Sequence, residues 1–414
     1  MTEATATEKL ALAGGKPAKS TPFTKQPRYG DEELAELKEA VAQNTLFYAQ
    51  GKKVKALEEA FAKKHTAKFG IACSSGTAAL HAACMAGGVS PGDEVIVPPI
   101  TDMGTILPVM WQGAVPVFVD LDPRTYNLSP SAIEKSITPR TRAIMAVHLA
   151  GNPCDMTAIK AIADRHKIFL VEDCAQAHGT TYDGKPVGSI GHVGCYSFNE
   201  FKHIACGDGG MVTTSDAELA RRLRLATDKG YDRSPGVAER NVGFLANNYR
   251  MTELQGAVAL AQLRKLDSIV QRRQSWCGRL TERLKDKTPA VQLPAVQERG
   301  THTYWFYMMR VEPEKLGANA DEFAAALKAE GLPAAAHYIG KPIYQYPLFQ
   351  NHSAFERGDH PFKRMDYRGV KNPVAEAILQ TCVVLSVNES YSDTDLDETV
   401  AGIEKVVTHF QTRR

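Results

Sequence analysis

The sequence has little net charge and no long apolar run. Its 49 Lys and Arg residues against 47 Asp and Glu give a formal net charge of +2, whereas proteins that bind nucleic acid usually present a concentrated basic face. No charge-free apolar stretch approaches the ~20 residues that a membrane span needs, and the N-terminal residues have no apolar signal core. We therefore expect a cytoplasmic protein that binds neither nucleic acid nor a membrane.

Paired cysteine motifs are also missing. None of the eight cysteines forms a Cys-x-x-Cys pair, and none belongs to the two-pair arrangement of a zinc finger. Several lie within apolar segments, which is typical of buried thiols in a reducing compartment. We expect neither a disulfide framework nor a metal site built from these cysteines.

The order of apolar and polar segments predicts two units. From residue 69 to about residue 215, short β-branched runs alternate with helical stretches, which is typical of βαβ units and a mostly parallel sheet. Residues 252–285 then read as one or two long helices, and a strand follows at 303–311. We predict a large α/β domain over residues 1–265, including an N-terminal arm, and a small α+β domain over residues 266–414.

The run SSGTAAL (74–80) follows a predicted strand and opens a helix. Backbone N–H groups at a helix start, with Ser and Thr hydroxyls beside them, can hold a phosphate. Gly76 allows the backbone to approach such a ligand closely. A simple helix cap would use the same residues, so the run alone leaves both interpretations open.

The run VEDCAQAHG (171–179) ends a predicted buried strand with two carboxylates. Ligands of open α/β sheets bind at this edge, and a buried carboxylate needs a cationic partner. A metal ion and a protonated heterocyclic nitrogen are both candidates. The metal interpretation lacks a second group of ligands nearby in sequence.

Lys202 lies five residues after Ser197, which ends another predicted strand, and it is flanked by apolar Phe201 and, two residues on, Ile204. Partial desolvation would lower the pKa of this lysine and make it a nucleophile toward carbonyls. A surface lysine whose stem covers apolar neighbours is the alternative.

The run NNYRMTELQ (247–255) places amide, phenol and guanidinium groups directly before a helix, whose capping box extends from Thr252 to Gln255. These donors suit an anion, although a simple capped helix is again possible.

One cofactor explains all four segments together. Pyridoxal 5′-phosphate (PLP) needs a lysine for its aldehyde, a carboxylate for its ring nitrogen and donors for its phosphate.

From about Leu10 to residue 408 the chain resembles the DegT/DnrJ/EryC1/StrS family of PLP-dependent sugar and cyclitol aminotransferases. The runs quoted above, with SFNEFKHIACGDGG (197–210), carry the resemblance. Further likeness is to the branch of scyllo-inosose aminotransferases and 3-amino-5-hydroxybenzoate synthases, which serves antibiotic biosynthesis. The resemblance implies fold type I, the aspartate aminotransferase-like architecture, and PLP as cofactor.

The resemblance also implies roles for single residues. Lys202 would form the Schiff base (the internal aldimine) with PLP and later move the proton. Asp173 would pair with the pyridinium nitrogen, Ala175 would pack on one face of the ring, and Gln176 would reach its phenolic oxygen.

Phosphate ligands follow from the same resemblance. Gly76, Thr77 and Ser197 would contact the phosphate within one chain. Asn248 resembles a ligand donated by the neighbouring subunit, which implies a homodimer with shared active sites. Arg250 is expected near the substrate entrance.

Two positions, Asp102 and Lys202, need comparison with the usual family pattern. Asp102 stands where an aromatic residue normally stacks on the ring, so we expect Met103 to stack instead or the stacking to be weaker, or else the carboxylate to contact the incoming amine or hydroxyls. The resemblance places Tyr338, like Arg250, at the substrate entrance. Relatives that dehydrate carry His in place of the lysine, whereas Lys202 is in register here, with His203 beside it.

The sequence therefore predicts an aminotransferase that moves an amino group from Gln or Glu to a keto-cyclitol or keto-sugar. A dehydratase or aromatase of the same fold is one alternative. A non-catalytic PLP-binding regulator is another, although the intact Lys202, Asp173 and Ser197 disfavour it.

Overall fold

A seven-stranded sheet forms the centre of the larger unit. The computed structural model describes residues 9–234, 236–237, 242–357 and 366–412. The first nine strands are β1 (Phe69–Cys73), β2 (Glu94–Val97), β3 (Val115–Phe118), β4 (Thr141–Val147), β5 (Phe169–Asp173), β6 (Thr181–Tyr182), β7 (Lys185–Pro186), β8 (Val193–Ser197) and β9 (Gly210–Thr214). The short strands β6 and β7 pair with each other as a separate hairpin.

The strand order of the large sheet is β1-β9-β8-β5-β4-β2-β3. All strands run parallel except β9, which is antiparallel to both β1 and β8. β9 reverses because a loop without a helix joins it to β8, whereas parallel neighbours need a longer crossover. The predicted mostly parallel sheet is confirmed.

Helices cover both faces of this sheet. The first eight helices are α1 (Asp31–Ala42), α2 (Lys53–Lys64), α3 (Gly76–Ala86), α4 (Met103–Trp111), α5 (Pro130–Ser136), α6 (Met156–His166), α7 (Ala217–Thr227) and α8 (Glu253–Leu284). Neighbouring residues of β4 point to opposite sides, because Ile144 packs with Phe61 of α2 and Ile159 of α6, whereas Met145 packs with Leu80 of α3. Strands buried on both faces explain the uniformly apolar runs of the sequence.

A second, antiparallel sheet lies in the C-terminal part. Its strands are β10 (Val291–Gln292), β11 (Phe306–Val311), β12 (Ala334–Ala336) and β13 (Cys382–Ser386), in the order β10-β11-β13-β12. The remaining helices are α9 (Pro313–Leu316), α10 (Ala320–Ala329), α11 (Pro347–Gln350), α12 (Pro373–Thr381) and α13 (Asp393–Thr412). Phe323 of α10 and Ile403 of α13 pack with this sheet in a third apolar core. This is the predicted α+β arrangement.

Helix α8 runs along both units as one continuous helix. It begins where the sequence predicted, because the Thr252 side chain accepts a hydrogen bond from the Gln255 N–H and the capping box is closed. Near its middle, Lys265 pairs with Glu33 of α1, and near its end Arg283 pairs with Asp397 of α13. The predicted domain boundary between residues 265 and 266 falls inside α8 and stays a prediction.

Three further findings bear on the sequence expectations. All eight cysteines are free, and seven of them are buried. β11 begins at Phe306 and not at residue 303, because the preceding N–H groups of Thr303 and Trp305 donate to the carbonyls of Gly151 and Ala150. Among the described residues, no helix combines the length and apolar character needed to cross a bilayer.

Candidate active site

A cavity of about 240 Å³ opens where the carboxyl ends of β5 and β8 meet the first turns of α3 and α4. This is the edge at which ligands of parallel sheets bind. The predicted site residues that line it are Gly76, Thr77, Asp102, Asp173, Ala175, Gln176, Ser197 and Lys202.

One end of the cavity has the geometry of an anion cradle. Ser75 caps α3 through its hydroxyl, which accepts the Ala78 N–H at 3.0 Å. The N–H groups of Gly76 and Thr77 lie in the first turn, where helix geometry leaves N–H groups without an acceptor inside the helix. The cap and the anion cradle therefore use different atoms of the same run, and the two interpretations of this segment are compatible.

Gly76 brings α3 against the end of β8. A Cβ atom at this position would lie 2.7 Å from the Cβ of Ser197 and 3.1 Å from its Oγ. No side chain fits there without displacing the backbone of one of the two elements. The close approach places the Ser197 hydroxyl beside the first turn of α3.

Asp173 is the buried carboxylate of the cavity. Burial raises the pKa of Asp173, and hydrogen bonds from the Ala175 N–H (3.1 Å) and the Thr105 hydroxyl (2.8 Å) oppose that rise, as does the charge of Lys202. A carboxylate held in this way can pair with a cationic group that enters the cavity.

Lys202 faces the same cavity from the turn after β8. Burial lowers the pKa of Lys202, whereas the charges of Asp173 and Asp102 raise it. Its Nζ lies 3.8 Å from the centroid of the Trp305 ring, and the Trp305 indole N–H donates to the Phe201 carbonyl at 2.7 Å. The position inside the cavity favours the nucleophile over the surface lysine that the sequence left open.

Two threonines of the cavity were missed by the sequence interpretation. Thr105 contacts Asp173, and the Thr101 hydroxyl lies 2.7 Å from that of Thr105. Sequence patterns could not reveal the contact with Asp173, because Thr105 and Asp173 lie 68 positions apart and meet only when the first turn of α4 is placed beside the end of β5.

Met103, one candidate for the ring contact, lies outside the lining of the cavity. It is partly buried against the apolar core on the α3 side of the sheet. Asp102 does line it, and its Oδ1 caps α4 by accepting the Gly104 N–H at 2.7 Å. The second expectation for Asp102, a carboxylate exposed to the substrate, fits this position.

Gln176 lines the cavity, and Tyr338 lies beside it. The Gln176 side chain accepts the Ala150 N–H at 2.8 Å and extends its amide nitrogen to within 3.4 Å of the Tyr338 hydroxyl. The Tyr338 ring packs against Phe306 of β11. Tyr338 does not line the cavity itself; it lies one hydrogen bond behind Gln176 and connects this lining residue to the small sheet.

Asn248 and Arg250 do not line the cavity of their own chain. Asn248 is exposed, and its backbone pairs with that of Asp228 in an isolated antiparallel β-bridge. The Arg250 guanidinium pairs with the buried Asp228 at 2.6 Å, and Asp228 also accepts the Tyr48 hydroxyl at 2.6 Å. Within one chain, Arg250 therefore has a partner away from the expected substrate entrance.

The metal interpretation can be tested on Glu172. His148, Glu172 and Cys174 lie close enough to hold an ion, but the Glu172 carboxylate already accepts hydrogen bonds from the Gly188 and Ile190 N–H groups and contacts His148 at 3.1 Å. The Cys174 thiol lies 3.7 Å from the Glu172 carbonyl oxygen, to which it can donate. These contacts account for the group without an ion.

The cavity fits PLP on its own geometry. It combines an anion cradle that tolerates no side chain at Gly76, a buried carboxylate at Asp173 and a half-buried lysine at Lys202. These match the phosphate, the ring nitrogen and the aldehyde of the cofactor.

Comparisons with known proteins show which proteins this chain is similar to. The family model described as the DegT/DnrJ/EryC1/StrS aminotransferase family matches residues 27–404. GDP-perosamine synthase of Caulobacter vibrioides is 37% identical over 357 residues, which cover 86% of this chain and 91% of that protein. The spore coat polysaccharide biosynthesis protein SpsC of Bacillus subtilis is 34% identical over 389 residues, which cover 92% of this chain and 96% of SpsC.

Solved structures show the same similarity. A 3-amino-5-hydroxybenzoic acid (AHBA) synthase superposes with a TM-score of 0.83 at 30% identity and covers 94% of this chain and 100% of that chain. NtdA of Bacillus subtilis, solved with bound cofactor PMP, superposes with a TM-score of 0.80 at 25% identity and covers 94% of this chain and 87% of NtdA.

Proposed function

The chain belongs to the DegT/DnrJ/EryC1/StrS aminotransferase family, whose members depend on PLP. From this premise we propose that it moves an amino group from Gln or Glu to the ketone of a keto-sugar or keto-cyclitol. The observation that carries the proposal is that Lys202 and Asp173 line the same cavity. Asp173 ends β5, and Lys202 lies in the turn after the neighbouring strand β8. An amine and a carboxylate fixed in this way suit proton transfer at the carbon that carries the donor nitrogen.

Five residues would hold the cofactor. The N–H groups of Gly76 and Thr77 and the hydroxyl of Ser197 would bind its phosphate, Asp173 would pair with its ring nitrogen, and Lys202 would bond to its aldehyde. When bound, PLP supplies an electron sink for the charge that develops at the donor carbon.

Lys202 acts as the base of this scheme. Because burial lowers its pKa, a larger fraction of its amine is uncharged near neutral pH than in an exposed lysine. The uncharged amine accepts the proton from the donor carbon, and the ammonium returns a proton on the acceptor side. Asp173 and Asp102 limit the fall in pKa, so the amine remains basic enough for both steps.

We further propose a homodimer in which Asn248 completes the partner's cavity. Asn248 is exposed on its own chain. Close to the Lys202 turn, Phe201 is 75% exposed, and Leu34 on α1 is 64% exposed. Large apolar side chains at this exposure, beside a groove that Tyr29 and Leu34 help to line, suit burial against a second copy of the chain.

Relatives support an acceptor built on a sugar or a related ring. GDP-perosamine synthase and AHBA synthase carry such products in their names. The similarity to AHBA synthase also keeps a second candidate, in which Lys202 serves as a base for dehydration or aromatisation. The two candidates differ in one outcome, which is the transfer of nitrogen to the acceptor.

A half-reaction assay tests the function. The full chain, loaded with PLP, is mixed with a panel of amino acids, and keto acid release is measured before keto-cyclitols and nucleotide-linked keto-sugars are added. We expect release with Gln or Glu and an aminated product with one acceptor class. Lys202→Ala should abolish both, whereas Lys328→Ala, at an exposed lysine of α10, should not.

Three outcomes would contradict the proposal. Full turnover by Lys202→Ala would exclude the assigned base. A product that loses water but gains no nitrogen would favour the dehydratase. Binding of PLP with no keto acid from any donor would favour a non-catalytic binding protein.

A further inference from the structure

Two buried hydroxyl groups connect the start of α4 to the carboxylate of Asp173. The Thr105 hydroxyl lies 2.8 Å from Asp173 Oδ2, and the Thr101 hydroxyl lies 2.7 Å from that of Thr105. Both threonines are 2% exposed. The proposed function assigns a role to neither residue.

The hydrogen bonds can run in one direction only. An ionised carboxylate accepts and cannot donate, so Thr105 must donate to Asp173. Its hydroxyl proton is then used, and the hydrogen bond between the two threonines must be donated by Thr101. The series from Thr101 through Thr105 to Asp173 therefore polarises each hydroxyl toward the carboxylate.

The two oxygens of Asp173 are held by separate donors. Oδ2 accepts from Thr105, and Oδ1 accepts from the Ala175 N–H at 3.1 Å. One donor on each oxygen fixes the plane of the carboxylate. Without Thr105, the Ala175 contact alone would leave the side chain free to rotate about its Cβ–Cγ bond.

Few other groups favour the ionised form. Burial raises the pKa of Asp173, and the two donors oppose this rise together with the charges of Lys202 and His148. His148 faces Glu172 directly, and Lys202 becomes uncharged during the reaction. The Thr105 hydroxyl is thus a donor to the carboxylate that does not depend on the state of Lys202.

The local chain is shaped for this contact. Gly104 precedes Thr105, and a Cβ atom there would lie 2.7 Å from the Thr77 hydroxyl. The absence of a side chain lets the first turn of α4 approach α3. Asp102 caps the same turn, so Thr105 is presented toward β5 by a well-defined helix start.

We propose that Thr105 is a positioning residue for the aminotransferase reaction, because with Thr101 it fixes the orientation of the Asp173 carboxylate and keeps it ionised. The inference rests on the proposed function, in which Asp173 pairs with the protonated ring nitrogen of the cofactor. Thr105 touches neither substrate nor cofactor in this account, and acts through Asp173.

Three variants separate orientation from bulk. Thr105→Val removes the hydroxyl and keeps the branched shape, Thr105→Ser keeps the hydroxyl, and Thr101→Val removes only the outer donor. The full chain is loaded with PLP labelled with ¹⁵N in its ring, and the ring-nitrogen resonance is followed by NMR as a function of pH. The rate of the half-reaction with the amino donor is measured in parallel.

We expect Thr105→Val to move the ring-nitrogen resonance toward the unprotonated form and to slow the half-reaction about tenfold to a hundredfold, the loss expected for one hydrogen bond to a buried charge. Thr105→Ser should match the unchanged chain, and Thr101→Val should lie between. Thr213→Val is the matched control, because this fully buried threonine of β9 donates to the Gly188 carbonyl, away from Asp173. It should leave the resonance unchanged.

An unchanged resonance and rate in Thr105→Val would overturn the inference, provided that the unchanged chain binds PLP and transfers nitrogen. If the unchanged chain does neither, the proposed function itself fails. Should Thr105→Val fail to fold or to take up PLP, Thr101→Val decides, because it leaves the bond to Asp173 in place. An unchanged ring-nitrogen resonance in Thr101→Val would then overturn the inference that the two hydroxyls act on Asp173 in series.

Discussion

Gly76 is the position at which the cavity tolerates the least change. A Cβ atom would meet Ser197 at 2.7 Å, a separation that forces α3 away from β8. The phosphate ligands proposed on these two elements would then separate. The smallest possible substitution therefore reports on the whole anion cradle.

We predict that Gly76→Ala weakens PLP binding at least about tenfold, since one lost or lengthened hydrogen bond to a charged group has this effect. Absorbance titration of the full chain with PLP measures the dissociation constant. Gly278→Ala is the control, because a Cβ atom in this part of α8 meets nothing within 4 Å. An unchanged dissociation constant in Gly76→Ala would contradict the assigned cradle.

Asp102 combines two roles that a conservative variant can separate. Its side chain caps α4, and its charge raises the pKa of Lys202. Asp102→Asn keeps a good cap and removes the charge. The pKa of Lys202 should then fall, so its uncharged amine persists to lower pH.

The acid limb of the half-reaction rate should therefore move to lower pH in Asp102→Asn, by less than about one unit for a charge near the surface. A stopped-flow pH series measures the limb. Asp216→Asn, at the cap of α7, should leave the limb in place. A shift of the limb to higher pH would contradict the sign of this electrostatic effect.

At the scale of single residues, the sequence predicted the cavity well where a motif exists. Asp173 and Lys202 each end or follow a strand within a recognisable run, and both line the cavity. Thr105 could not be predicted, because its contact spans 68 positions of the chain and depends on the order of strands in the sheet. Met103, a candidate for the ring contact, packs against the apolar core and does not line the cavity.

At the scale of elements, the arm before α1 is tied to α13 by a buried ion pair. The Lys19 ammonium lies 2.6 Å from Asp395 and 2.6 Å from Glu398, with 1% of its side chain exposed. Burial opposes the charge of Asp395, but the hydrogen bonds from Lys19, Ser392 and Thr24 outweigh it and hold the pKa of this carboxyl well below its usual range. The pair therefore anchors the arm.

Lys19→Met should lower the free energy of unfolding by about 3–5 kcal/mol, because it leaves buried carboxylates without a partner. Urea unfolding of the full chain measures the loss, and Lys16→Met, at an exposed lysine of the arm, is the control. A loss below about 1 kcal/mol would mean that solvent already screens the pair.

The same pair predicts an acid dependence. The folded pKa of Asp395 is below its unfolded value, so the stabilisation is present above an unfolded pKa of about 3.9 and is lost as the pH falls toward the lower folded value. Unfolding free energies measured from pH 6 down to pH 3 should therefore fall less steeply in Asp395→Asn than in the unchanged chain. Equal slopes would contradict this contribution.

Sequence patterns predicted the elements unevenly. The capping box at Thr252 marks the start of α8 correctly, because the signal is local. The passage from α12 to β13 was missed, since the helix ends at Thr381 and the strand begins at Cys382 with no Gly or Pro between them. There, pairing with β11 decides the conformation of an apolar run that could continue a helix.

At the scale of the whole molecule, the proposed active site needs two chains. Lys202 faces the cavity of its own chain, whereas Asn248 is exposed and lies outside it. The sequence implies an active site shared between two chains only through the family resemblance of Asn248. Exposure of Asn248 and of Phe201 supports it independently.

Mixing two inactive variants tests the division. Lys202→Ala lacks the base, and Asn248→Asp should repel the phosphate of the partner's cofactor. A hybrid dimer has one intact site, and random pairing makes half of the dimers hybrid, so the mixture should regain about a quarter of the original activity. Each variant mixed with itself is the control, and a mixture no more active than its components would contradict shared sites.

The central claim is that Lys202 carries the cofactor. The PLP-loaded chain is reduced with sodium borohydride and digested, and mass spectrometry then locates the phosphopyridoxyl group. The account predicts this group on the peptide that contains Lys202, at the lysine directly before His203. Modification of a different lysine, or of none, would contradict it.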